Sequence, residues 1–183
     1  MESLALETKP VSKTVNGKTI RLEKGDLMGL EVDGVVFYAR EDLQLGSGFG
    51  TAIQTRGGAA LKKELAARGG IGMGEAVVTG AGDMRPRHIV HACGPKFHEP
   101  ETEAKLRKCI HAALQAASDA GLATVAFPPM GTGFYGVPME LSAKVLLEVT
   151  RKFLEEHDAI REVTICVMDD REFRAFQPKL EAM

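Results

Sequence analysis

Short apolar runs alternate along the chain with longer stretches in which apolar residues recur every three or four positions. The runs fall at 34–38, 76–78, 88–92, 124–127 and 163–168, and several are rich in β-branched residues, which fits buried strands. The clearest periodic stretch covers about 101–120, where Leu106, Cys109, Ile110, Ala113, Leu114 and Ala117 mark one helical face and Gly121 supplies a stop. A second helix is predicted after Pro138, with Leu141, Val145, Val149 and Phe153 on one stripe. A third is predicted over about 51–67, and a shorter last one after Asp170. Near the start, Asn16-Gly17 separates two stretches of β character, VSKTV and KTIRL, and provides the positive φ angles of a tight hairpin turn. Strands alternating with helices imply an α/β fold whose parallel or mixed central sheet is covered on both faces.

No internal repeat, low-complexity tract or Pro/Ser-rich linker interrupts the pattern, so residues 1–183 read as one domain. Residues before about Lys9 and after about Pro178 are expected to be the least tied down. Of the 183 residues, 44% are apolar, enough for one well-buried core. A formal net charge of −2 gives no global positive field, which argues against a broad nucleic-acid surface and against attachment to an anionic membrane. The first ten residues carry two glutamates and lack the basic start and apolar core of a secretory signal, so a cytoplasmic location is the default. A monomer is expected for a domain of this size. Cys93, Cys109 and Cys166 form an odd set, read as buried reduced thiols. His88 and His91 are three apart in an extended stretch and should face opposite ways, so neither they nor any other spacing suggests a metal site.

Two glycine-rich segments carry the candidate chemistry: Gly46-Ser47-Gly48-Phe49-Gly50 and Gly131-Thr132-Gly133-Phe134-Tyr135-Gly136. Each precedes a predicted helix. Glycine lets the backbone turn its N–H groups inward, and a helix N-terminus adds partial positive charge, so each segment can cradle a phosphate without a charged side chain. Two cradles suit a diphosphate better than one. The second segment follows the 124–127 strand directly, at the edge where open α/β sheets bind ligands. The plainer reading of either segment alone is a glycine turn. Standard fingerprints fail: Val137 stands where a P-loop needs lysine, and Thr51 stands where a dinucleotide fingerprint needs its third glycine. Asp26, in Gly25-Asp26-Leu27 after the KTIRLEK stretch, is placed to accept a hydrogen bond from an exocyclic amine such as that of adenine; a turn aspartate or helix cap is the plainer alternative.

Taken in order, EKGDL at 23–27, DGVVFYAREDLQLGSGFGTAI at 33–53, GEAVVTGAGDMRPRHIVHACGP at 74–95 and TVAFPPMGTGFYGVP at 124–138 resemble the macrodomain family over about residues 18–172. The resemblance implies a three-layer α/β/α sandwich with a mixed central sheet and a cleft for ADP-ribose across the sheet's carboxyl edge. It implies that Asp26, with Leu27 beside it, meets the adenine amine. Gly46, Ser47, Gly48, Phe49 and Gly50 then form the first diphosphate loop, and Met130, Gly131, Thr132, Gly133, Phe134 and Tyr135 the second, which also wraps the distal ribose. The aromatic residue that often flanks the adenine is matched here by Met168, a polarizable side chain that still covers a flat ring.

The resemblance breaks at two places that matter for catalysis. Family hydrolases carry Asn-Ala-Ala-Asn where this chain has Phe37-Tyr38-Ala39-Arg40, so the asparagine that contacts the distal ribose becomes Arg40, which has no acceptor. The aspartate with which one hydrolase group activates water is matched by Gly50, which has no side chain. Glu41, Asp42 and His91 are the remaining acid/base candidates beside Arg40, with solvated loop charges and a sheet histidine as the plainer readings. The expectation is therefore a module that binds ADP-ribose or ADP-ribosyl groups on protein or nucleic acid, with no cofactor. Its alternatives are a hydrolase of ADP-ribosyl or O-acyl-ADP-ribose bonds with a non-standard arrangement, or a macrodomain fold turned to another nucleotide or an RNA end.

Overall fold

A computed structural model describes residues 8–46 and 49–183. Strands β1 (Val11–Val15) and β2 (Lys18–Lys24) form the expected hairpin, with Asn16 at φ 49° and Gly17 at φ 76° in the turn. Then follow β3 (Gly34–Ala39), α1 (Phe49–Arg68), β4 (Ala76–Gly80), β5 (His88–Cys93), α2 (Thr102–Asp119), β6 (Thr124–Phe127), α3 (Met139–Glu156), β7 (Glu162–Val167) and α4 (Asp170–Glu181). The seven strands form one sheet in the order β1-β2-β7-β6-β3-β5-β4. The five inner strands run parallel, and β1 and β4 lie antiparallel at the two edges.

Strand side chains alternate between two cores, as the two-residue period requires. On one face Val36, Tyr38, Val90, Ala92, Val125, Phe127 and Ile165 pack against α2, α3 and α4 through Leu106, Ile110, Leu114, Leu146, Phe153 and Phe176. On the other, Val35, Ile89, Ala126 and Cys166 pack against Ile53, Leu61 and Leu65 of α1. Helices on both faces of a mixed sheet make the three-layer α/β/α sandwich.

α1 is broken at Gly58, whose φ of 78° and ψ of −172° interrupt the helix. Packing beside the break is close: a Cβ on Gly82 would run into the Gly57 carbonyl, so the 81–83 turn lies directly against the helix backbone. Lys18 is buried at the far end of the sheet, where its ammonium donates to the Leu154 carbonyl at 2.6 Å and pairs with Asp158 at 2.8 Å. A cation at the last turn of α3 meets the negative end of that helix.

The chain's end departs from the sequence expectation. Helix α4 continues through Pro178 to Glu181, and Leu180 is fully buried, so the segment after Pro178 is part of the core. Residues 1–7 lie outside the described part.

Candidate functional site

Because the inner strands are parallel, their carboxyl ends share one rim. Asp26 follows β2, Met168 follows β7, the Gly131 loop follows β6, Arg40 follows β3, and Gly94 follows β5. β3 and β6 are hydrogen-bonded neighbours, with Gly34 opposite Val125 and Val35 opposite Ala126. The two glycine segments therefore rise from adjacent strands at the same edge. Ser47 and Gly48 lie outside the described residues, as does the Phe49 side chain; Gly46 and Gly50 bracket them.

The second loop is closed by its own backbone. Gly131, Gly133 and Gly136 have φ of 78°, 80° and 71°, and the N–H groups of Gly136 and Val137 donate to the carbonyls of Gly133 and Gly131, each at 3.0 Å. A Cβ on Gly131 would come within 2.6 Å of Val137 and 3.2 Å of the Tyr38 ring, whereas one on Gly133 would project into open space. Phe134 is exposed, and Tyr135 packs on Tyr38. Met130 differs from its neighbours: its side chain is fully buried and its carbonyl accepts from Ser142 Oγ at 2.8 Å, so it supports the loop from beneath.

Asp26 does cap a short helix, as the plainer reading held: Oδ1 accepts the Met28 N–H at 3.2 Å in the 3-10 turn Leu27–Gly29. Its other oxygen, Oδ2, accepts from Arg56 Nη1 of α1 at 2.9 Å. Leu27 is buried beside it. Met168 is 67% exposed, and its backbone is fixed because its N–H donates to the buried Glu172 carboxylate at 2.8 Å while Asp169 caps α4. Met168 and Asp26 thus follow neighbouring strand ends, joined where the Gly25 N–H donates to the Val167 carbonyl at 2.9 Å.

At the other end of the rim a cavity of about 550 Å³ is lined by Arg40, Glu41, Asp42, Cys93, Lys96, Phe97, Phe134 and Tyr135, among others. Arg40 lines this space, where it pairs with Asp42 at 2.9 Å, and a Cβ on Gly46 would lie 3.8 Å from its side chain. Glu41 pairs with Lys96 at 3.3 Å. Each cation of the cavity is thus matched by a carboxylate. Asp42 is engaged twice, since Oδ1 also accepts the Gln44 N–H at 3.0 Å, which is the geometry of a loop-building aspartate.

Neither His91 nor the cysteines are poised for chemistry. His91 is fully buried on the α1 face, bonded through Nε2 to Thr79 at 2.9 Å, and burial, with the Arg68 charge adding to it, holds its pKa down to about 4. His88 is on the opposite face, as expected from the strand period. All three cysteines are free and buried, and burial pushes the Cys93 thiol at the cavity wall up to about 11. It is no thiolate at neutral pH. Among the described residues no three His, Cys, Asp or Glu side chains come together to hold a metal ion, and no helix is long and apolar enough to cross a membrane.

Gly50 is packed so tightly that a Cβ would collide with the Leu45 carbonyl. The position has no room for any side chain. Sequence reasoning missed Arg56, Lys96 and Phe97. Phe97 and Lys96 follow Gly94-Pro95 at the carboxyl end of a strand that had been recognised, so their place on the rim was readable. Arg56 sits inside a helix with no local motif to mark it.

The family model for the Macro domain matches residues 38–146. A macro domain-containing protein of Caldanaerobacter subterraneus is 34% identical over 170 residues, covering 90% of this chain and 97% of its own. The ADP-ribose glycohydrolase MACROD2 of Xenopus laevis is 33% identical over 161 residues, covering 86% of this chain and 38% of that protein. A solved Trypanosoma brucei macrodomain in complex with ADP-ribose has a TM-score of 0.82 and 30% identity, covering 87% of this chain and 68% of that one. With a family model matched over more than half its length and a relative matched almost end to end, the chain belongs to the macro domain family.

Proposed function

We propose that this chain is a binding module for ADP-ribose, free or attached to protein or nucleic acid, acting as a monomer and without hydrolysing the bond to the distal ribose. The observation that carries the reading is the origin of both glycine segments on the adjacent parallel strands β3 and β6 at one rim. Asp26 and Met168 at one end suit the adenine. The cavity lined by Arg40, Phe134 and Tyr135 at the other suits the distal ribose. Gly46, Ser47, Gly48, Phe49 and Gly50 are assigned to the first diphosphate cradle, and Gly131, Thr132 and Gly133 to the second. The similarity to a macrodomain with ADP-ribose bound supports the same ligand.

Binding without turnover is favoured by the packing at Gly50, which leaves no space for a water-activating carboxylate, and by Arg40, whose guanidinium is engaged by Asp42 and offers a ribose no acceptor. Glu41 and Asp42 are both ion-paired. Similarity to a glycohydrolase makes turnover the reading to test against. Titration calorimetry with ADP-ribose, AMP and ATP, run beside an assay for ADP-ribose release from a modified protein, separates the two. Saturable heat with ADP-ribose and no release is expected. Release abolished by Glu41→Gln would make the chain a hydrolase, and no heat with ADP-ribose at high micromolar concentration would reject the nucleotide reading altogether.

A further inference from the structure

Phe97 is 55% exposed and lines the distal cavity, so its ring adds little to the core. The ring is nevertheless fixed in place. A Cβ on Gly136 would come within 2.6 Å of it, which sets the ring against the backbone of the glycine that closes the second loop. The His98 ring packs on it with centroids 3.8 Å apart and planes inclined by 58°. The turn that presents Phe97 is tied down by Glu99, whose carboxylate accepts the Lys96 N–H at 2.7 Å through one oxygen and the Lys105 ammonium of α2 at 2.7 Å through the other. The Glu99 N–H returns to the Lys96 carbonyl at 3.0 Å, and Thr102 Oγ1 donates to the Glu99 carbonyl at 2.8 Å. Within this turn His98 has a φ of 57°, a left-handed conformation uncommon outside glycine and held here by the surrounding bonds.

We infer that Phe97 is a specificity-determining residue for the far end of the ligand: its ring is the apolar wall against which the distal ribose rests, and Glu99 is the positioning residue that holds the ring there. This rests on the ADP-ribose reading above. A ribose presents hydroxyls and C–H bonds. The charged side chains of the cavity are already engaged with one another, Arg40 with Asp42 and Lys96 with Glu41. What the cavity offers besides is ring surface, from Phe97, Phe134 and Tyr135. The C–H bonds of a sugar pack on an aromatic ring, whose negative face attracts their weakly positive hydrogens. Tyr135 is committed to Tyr38, and Phe134 is 83% exposed with an edge contact to Tyr135. Phe97 combines a fixed position with open surface, and so carries the wall.

The test is calorimetry with ADP-ribose and with ADP, which keeps the base and both phosphates but has no distal ribose, on the native chain, Phe97→Ala, Phe97→Tyr, Glu99→Ala and the Phe97→Ala/Glu99→Ala double variant. Thermal unfolding of each confirms that these substitutions outside the core leave the fold intact. Phe97→Ala should weaken ADP-ribose by roughly fivefold to tenfold and ADP by less than about twofold, because only the ribose contact is lost. Phe97→Tyr keeps the ring and should bind ADP-ribose within about twofold of the native chain. Glu99→Ala should weaken ADP-ribose selectively as well, and the double variant should be no weaker than Phe97→Ala alone, since the carboxylate acts through the ring. Equal weakening of both ligands by Phe97→Ala would reduce the ring to a support for the second loop and overturn the ribose wall. Additive losses in the double variant would overturn the positioning role of Glu99. Absence of ADP-ribose binding to the native chain would overturn the underlying reading instead.

Discussion

The rings of Tyr38 and Tyr135 meet with centroids 4.5 Å apart and planes inclined by 42°, tying strand β3 to the second glycine loop. Tyr38 stands in the run where family hydrolases carry Asn-Ala-Ala-Asn. Its hydroxyl donates to the Pro95 carbonyl, and a Cβ on Gly94 would strike its ring, so one buried side chain joins the ends of β3, β5 and β6. Burial raises its pKa well above the ordinary tyrosine value, and the phenol stays protonated as a donor.

Tyr38→Phe keeps the ring contact and removes only the hydroxyl, leaving the Pro95 carbonyl without its donor. It is expected to cost about 1–2 kcal/mol in denaturant unfolding, with ADP-ribose affinity nearly unchanged. Tyr38→Ala also empties the space beneath Gly131 and should cost about 3–5 kcal/mol. A large affinity loss in Tyr38→Phe would instead place the hydroxyl in ligand contact.

Restoring an acid at Gly50 should not create a hydrolase. Gly50→Asp forces its Cβ against the Leu45 carbonyl, so the expected result is a lower unfolding temperature and no ADP-ribose release from a modified substrate. Measurable turnover in that variant would show that the first loop has space not evident from its packing.

Met168→Tyr should tighten binding. A rigid aromatic face at the end of β7 adds stacking worth about 0.5–1.5 kcal/mol over a flexible thioether, which is roughly a two- to tenfold gain in ADP-ribose affinity by calorimetry. Ribose 5-phosphate, which has no base, should show no such gain. An equal gain for both would place Met168 away from the adenine.

His91 makes stability sensitive to acid. Its pKa is lowered from 6.5 to about 4 by burial, so between those values the unfolded chain takes up a proton that the folded chain refuses. Stability is unaffected by this group above pH 6.5 and falls as pH drops through the window, by ~3 kcal/mol in full below pH 4. Urea midpoints measured from pH 7 to pH 4 should decline with that profile, and His91→Leu should flatten this part of it. An unchanged slope in the variant would assign the acid sensitivity to other groups.

What the sequence made legible was what local chemistry determines. The turn at Asn16-Gly17 needs positive φ angles, and that dipeptide announces them. The 124–127 run could be read as a strand because it is β-branched, apolar and bounded by Pro128 and Ala123's short connection, and β6 has those limits. The glycine loops were visible for the same reason. What stayed hidden depends on approach between distant segments. The break at Gly58 lies against the Gly82 turn, which is 24 positions away, and the Asp26–Arg56 pair spans 30 positions with no repeat or motif joining them. Leu180 looked like a fraying end because burial of a terminal helix is decided by the sheet it lands on. Phe97 and Lys96 carry no glycine or motif signal of their own, although the end of a parallel strand is itself a signal.

The matched charges around the distal cavity carry a further consequence for selectivity in a crowded cell. With Arg40 and Lys96 already neutralised by Asp42 and Glu41, the rim gains little from a ligand simply because it is more anionic. An extra phosphate, as on a nucleoside triphosphate, finds no spare countercharge there and must give up its hydration for nothing in return. On the proposed reading, abundant triphosphates are therefore expected to compete poorly with ADP-ribose, and shape more than charge is expected to decide what stays bound.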